Sequence, residues 1–199
     1  MCWRGCCRWF GSVGVKRAAA LVLLALLPAT SQVNAAVWTV APATSSIGFT
    51  ATWLGKPVNG VFKRWSAVID FDPAKLAAAK VNVSIDLGSA VSGDKTVDGT
   101  LPEADWFAVK TSPTARFAST RIDKTATGYV AHGTLTIRGK VVPVDLPFTL
   151  AITGDIATMA GSAKLDRRSW GIGAESDATA EYVAFAVPVT IKLSARRKP

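Results

Sequence analysis

The sequence predicts an all-β domain, an antiparallel barrel or sandwich of about eight strands, on three observations. Hydrophobic residues alternate with polar or small ones at period two in one segment after another, which turns one strand face inward. The segments are short, evenly spaced and joined by turn residues, as antiparallel barrels require. No long stretch carries the 3.6-residue periodicity of an amphipathic helix.

Ahead of the strands, residues 1–35 read as an export signal. Arg4, Arg8, Lys16 and Arg17 lie in a stretch without acids, Ala18 to Leu27 is uninterruptedly apolar, and Pro28 closes that run. Val33 and Ala35 then occupy the small-residue positions of a cleavage site before Ala36. A membrane-spanning helix needs about 20 apolar residues, and this run is shorter. Removing 35 of the 199 residues leaves a mature domain of 164, and losing the four cations of the leader takes the formal charge from +9 to +5. Arg196, Arg197 and Lys198 carry three of those charges in what reads as a terminal tail. No basic stripe for nucleic acid survives. Cys2, Cys6 and Cys7 all lie in the leader, so the mature chain has no disulfide and no lipid-anchoring cysteine, and it is long enough to bury a core without them.

Within the mature domain, Ile47, Phe49, Ala51 and Trp53 share the face of a first strand, and Trp65, Ala67, Ile69 and Phe71 that of a second. Asp72-Pro73 then reads as an N-cap with proline at the first helical position, which predicts a short helix over Ala74–Lys80. Val81, Val83, Ile85 and Leu87 give the next strand. Thr100 and Glu103, at capping-box spacing, predict a helical turn that places Trp106 and Phe107 as a plug at one barrel end. Strands follow at Ala115–Ser119, Tyr129–Ile137 and Val142–Leu150, with a weaker one at Met159–Leu165 and a last one at Val183–Leu193. Arg138-Gly139-Lys140 is a hairpin turn between two of these. Pro143 and Pro147 share a parity, so both missing N–H groups face one neighbour, and an edge, bulge or gap in closure is expected there.

Catalytic and metal sites lack parts. His132 is the sole histidine and alternates out of phase with Tyr129, Leu135 and Ile137, which turns it to solvent. Without cysteine or a second histidine, zinc chemistry and nucleophilic triads have no complete set of groups. Asp94, Thr96, Asp98, Gly99 and Asp105 match positions 1, 3, 5, 6 and 12 of a calcium loop, yet a strand precedes them and Pro102 breaks the loop. Whether the Asp94–Asp105 segment binds a cation stays open on sequence alone.

What remains is the interior. Small residues (Ala51, Gly60, Ala67, Ala115, Ser119, Ala131, Gly133) share the inward phase with aromatics, a mixture that suits either a hollow apolar lumen or a tapered solid core. Phe49, Trp53, Phe62, Trp65, Ile85, Phe117, Leu135 and Phe148 are the candidate lining, with Trp106 and Phe107 near a mouth. Arg168 either meets an anionic headgroup or forms a salt bridge at a strand end.

Several short motifs resemble the YceI-like family in order along nearly the whole mature chain. They include Ser45-Ser46-Ile47-Gly48-Phe49, Gly60-Val61-Phe62, Ala67-Val68-Ile69-Asp70-Phe71-Asp72 and Asp105-Trp106-Phe107. The series continues with Ala115-Arg116-Phe117-Ala118-Ser119-Thr120, Gly133-Thr134-Leu135-Thr136-Ile137-Arg138-Gly139 and Arg168-Ser169-Trp170-Gly171-Ile172-Gly173. The resemblance implies an eight-stranded lipocalin-like barrel in the periplasm, holding an isoprenoid lipid such as an isoprenoid quinone or polyprenyl phosphate as ligand, without catalysis or another cofactor. The chain departs from the family pattern at Ala41, Thr44 and Trp53 and across Val97–Leu101, which removes polar groups near one barrel end. Transient contact with a membrane surface is a further expectation. A rival expectation is a filled barrel acting as an accessory subunit of a membrane b-type cytochrome system.

Overall fold

A computed structural model describes residues 37–198, and the export-signal reading of residues 1–35 lies outside the described residues. Eight strand positions close into an antiparallel barrel, three of them filled by broken strands. Val37–Val40 (β1) and Ser46–Trp53 (β2) are halves of one bent strand, separated by a 3-10 turn at Pro42–Thr44. Lys56–Phe62 (β3) and Trp65–Asp70 (β4) form the second, and Lys80–Asp86 (β5) with Ala90–Val91 (β6) the third. Thr114–Lys124 (β7), Tyr129–Ile137 (β8), Lys140–Thr153 (β9), Ile156–Asp166 (β10) and Ala186–Arg197 (β11) complete the wall.

Sequential neighbours pair around the ring, and β11 closes it by pairing β2 through Val189–Lys192 and β1 through Ala195–Arg197. The basic C-terminus is therefore not a free tail. Arg196 and Arg197 are the last rungs of the closing strand, and the Arg197 guanidinium stacks 5.1 Å from the Trp38 ring. Closure of a barrel rewards every available rung, and this outweighs the solvation of two cations that remain exposed anyway.

The prolines mark a seam. Ile137↔Lys140 closes a two-residue hairpin, so alternation puts Thr134↔Pro143 and Val130↔Pro147 at pairs whose nitrogens point away from β8, toward β10. The β9–β10 ladder spans Phe148–Thr153 and stops there. A strand that lacks N–H donors on one side cannot extend the ladder further.

Two helical expectations are corrected. Asp72 caps Ala74 at 2.9 Å, but only a 3-10 turn at Leu76–Ala78 follows, because the chain re-enters the sheet at Lys80. The true helix is Lys95–Thr100 (α1), which Thr100 ends rather than begins. Its cap is Asp94, whose carboxylate accepts from the Thr96 and Val97 amides at 2.9 and 3.1 Å. Of the three two-residue hairpins among the described residues, Leu54-Gly55 and Arg138-Gly139 have two consecutive positive φ angles (49° and 76°, 51° and 73°), as type I′ turns need, while Gly154-Asp155 has a positive φ at the glycine alone.

Candidate functional site

Alternation along the wall fixes what faces the axis. Ile47 and Phe49 on β2, Val189 and Ile191 on β11, and Ala163 and Leu165 on β10 all point inward, while their neighbours Gly48, Thr190 and Lys164 face away. The interior is a series of chambers with shared walls. An upper chamber of about 130 Å³ meets a middle one of about 110 Å³ at Ile47, Ile85, Leu135, Leu165 and Val189. The middle chamber meets a lower one of about 70 Å³ at Val81, Phe117, Leu146, Met159 and Leu193. Above them, a vestibule of about 310 Å³ joins the upper chamber at Phe49, Ala51, Leu101, Trp106 and Val183.

Glycines keep the axis open. A Cβ on Gly60 would fall 2.2 Å from the Phe49 ring, and one on Gly133 would fall 2.7 Å from the Phe117 ring. The far end of each ring therefore packs into the space a side chain at the glycine would fill, rather than into the lumen. Of the two alternatives the small residues left open, the chambers match the hollow lumen rather than the solid core.

The lower end is shut by aromatic packing. Tyr129 stacks on Phe148 at 5.3 Å, Phe71 meets Tyr129 edge-on at 5.4 Å, and Trp38 Nε1 donates to the Phe71 carbonyl at 2.8 Å. The upper end is roofed by α1, the Leu101–Thr111 loop and the Gly171–Phe185 segment. Arg167, buried at 4% exposure, holds that roof. Its Nη1 donates to the Ile172 and Gly173 carbonyls, its Nε to Val183, and its Nη2 to Val183 and to the Asp177 carbonyl and carboxylate, the last two at 2.7 Å. Asp177 is itself buried and also accepts from the Tyr182 and Val183 amides. Arg138 ties the Ala104 and Asp105 carbonyls to that of Gly171.

Asp105 adds a second latch, accepting from the amides of Glu175 and Ser176 and from the Ser176 hydroxyl at 2.6 Å. Partial burial alone would raise its pKa. The Ser176 hydroxyl and the two amides, with the nearby Arg138 charge, outweigh that and hold the carboxyl below the usual range.

The candidate lining residues distribute along this path. Phe49, Phe62, Ile85, Trp106, Phe107 and Leu135 line the upper chamber, Trp65 and Phe117 the middle one, Phe148 the lower one, and Trp53 the vestibule. Arg168 is the exception. It lies outside the chambers, paired with Asp166 at 2.5 Å and set over the Phe185 ring. Hydrogen bonding from Arg168 draws the Asp166 carboxyl below its ordinary range. The 3-10 turn after β10 sends Arg167 inward and Arg168 outward, and a one-residue change of phase at a strand end is invisible to period-two reasoning. Arg167, Asp177, Leu101 and Val183 belong to the site and were not singled out from sequence. The Asp166-Arg167-Arg168 run was the available signal.

The other polar candidates are engaged elsewhere. His132 faces outward between Asp145 at 2.7 Å and Asp123 at 3.3 Å. In the calcium-like loop, Asp94 caps α1, Asp98 accepts from the Ser92 amide and hydroxyl, and Asp105 latches the roof.

Comparison with known proteins agrees with this architecture. A YceI-like domain profile matches residues 38–195. The crystal structure of BcnA from Burkholderia cenocepacia is 34% identical, with a TM-score of 0.74 over 78% of this chain and 99% of that one. A polyisoprenoid-binding domain from Saccharophagus degradans, at 16% identity and a TM-score of 0.61, covers 83% of this chain and 99% of that domain, and shares the fold. A UPF0312 protein of Photorhabdus laumondii is 36% identical over 101 residues, 50% of this chain and 53% of that protein, so the chain spans about half the length of this curated relative. A continuous barrel closed by β11 and a profile match across nearly all of it lead to one conclusion: this chain belongs to the YceI-like family.

Proposed function

We propose that the protein binds and carries, or sequesters, one long apolar isoprenoid lipid in its barrel, in the periplasm and without catalysis. The observation that carries this is a run of apolar chambers, each sharing wall residues with the next, beneath a vestibule whose wall adds Thr96, Thr100 and Glu103 to its apolar residues. From Ala157 to Leu165, β10 advances roughly 26 Å, or about 20 Å along the axis of a barrel with strands tilted near 40°. A zigzag chain advances about 1.2 Å per bond, as an extended polypeptide does, so the lumen accepts roughly 16 chain bonds, the length of about four isoprene units. Each buried CH₂ contributes about 0.8 kcal/mol, so even ten carbons supply ~8 kcal/mol before ordering costs.

The polyisoprenoid ligand named for the Saccharophagus domain supports this choice of class, on a shared fold. The open chambers also favour a carrier over a solid accessory subunit of a membrane cytochrome, which has no use for them. Mass spectrometry of organic extracts from the protein purified out of its native host tests the proposal. A co-purifying isoprenoid lipid in near-stoichiometric amount is expected, and the absence of any lipid refutes it.

A further inference from the structure

We infer that the vestibule selects an uncharged head and discriminates against a phosphate, with Glu103 as the discriminating residue; this rests on the carrier function proposed above and narrows it. The cation nearest the lumen is Arg167, and it has nothing left to offer. Every nitrogen of its guanidinium already donates to a carbonyl or to Asp177, and the pair is neutral. Among the described residues, no lysine or arginine lines the vestibule, whereas Glu103 does, with no partner for its carboxylate. An anion drawn in by its tail would meet one uncompensated negative charge and no positive one.

The neutral groups there suit a neutral head. Thr96 and Thr100, one turn apart on α1, both line the vestibule, and neither hydroxyl is engaged by another residue. A hydroxyl both donates and accepts, so this pair can serve a carbonyl or an alcohol equally. A phosphate within roughly 6 Å of Glu103 in a solvent-open setting loses about tenfold in affinity by charge repulsion alone.

Two ligands with identical tails isolate the head. Titration of the purified protein with geranylgeraniol and with geranylgeranyl phosphate, at neutral pH and low salt, is followed by fluorescence of Trp53 and Trp106, both in the vestibule wall. The alcohol is expected to bind about tenfold more tightly, and the ratio to fall toward unity in Glu103→Gln and, more weakly, in high salt. Equal or tighter binding of the phosphate by the unmodified protein overturns the selectivity while leaving the carrier function standing. A ratio unchanged by Glu103→Gln removes Glu103 as its cause. Failure of both ligands to bind refutes the carrier function itself.

Discussion

Replacing Gly60 by alanine probes the packing that keeps the lumen open. The new Cβ would lie 2.2, 2.6 and 2.8 Å from three atoms of the Phe49 ring, against an optimum of about 3.5–4.0 Å. The ring must therefore leave the wall by more than an ångström. Phe62 stands beside it at 5.4 Å between ring centroids, and the remaining free direction is the upper chamber of about 130 Å³. A cavity of about 150 Å³ is filled by a benzene, so the displaced ring takes most of that space. Excluding about three ligand carbons costs ~2.4 kcal/mol, roughly a fiftyfold loss of affinity. The folded protein loses only about 1 kcal/mol, because the ring moves into a void rather than into packed atoms. Titration with geranylgeraniol measures the first quantity and thermal unfolding the second. Adding Phe49→Leu to Gly60→Ala should restore most of the binding, since the clash is with the ring. Unchanged affinity in Gly60→Ala would refute the claim that the glycine holds the axis open.

Other outcomes follow from the same structure. Arg167→Met leaves Asp177 buried without its cation and should cost about 3–5 kcal/mol in chemical denaturation, part of which Asp177→Asn in the same chain should recover. Leu54 is 60% exposed at φ 49°, so Leu54→Asn should stabilise the fold by about 1 kcal/mol, and a lower melting temperature would contradict this. The Asp105 carboxyl has a depressed pKa, so its latch is intact above the unfolded value of about 3.9 and is lost as pH falls through the lower folded value. Limited proteolysis should therefore cut the Gly171–Phe185 segment increasingly as pH drops below about 4, and Asp105→Asn should show that susceptibility at neutral pH.

Period-two patterning reached as far as side chains alternate cleanly. Strand β8 was legible to its end residues, Tyr129 and Ile137, because alternating small and large apolar residues are bounded by a glycine before it and a turn after it. The two prolines of β9 located the seam, since a missing donor has one physical meaning in a sheet. Strand β3 was not legible: Pro57, Asn59 and Gly60 look like turn residues, and only the ring of Phe49 on the facing strand explains the glycine. Strands β1 and β6 are too short for a period to show; β1 is fixed by pairing both β4 and β11 where the ring closes, and β6 by two rungs to β3. Local capping rules misplaced the helix, as Asp94 and Thr100 are both acceptable caps and the tertiary fold chooses between them. The lining residues on long strands were readable for the same reason the strands were. The roof residues Arg167 and Asp177 were not, because their partnership depends on how a long loop folds back over the mouth.

A crystal structure of the protein grown with geranylgeraniol puts the central idea to its hardest test. Continuous ligand density running down the axis from Trp106 to Phe148, with Phe49 and Phe117 still packed against Gly60 and Gly133, is the expected result. An axis occupied by the protein's own side chains, with the ligand absent or bound on the outer surface, would contradict it.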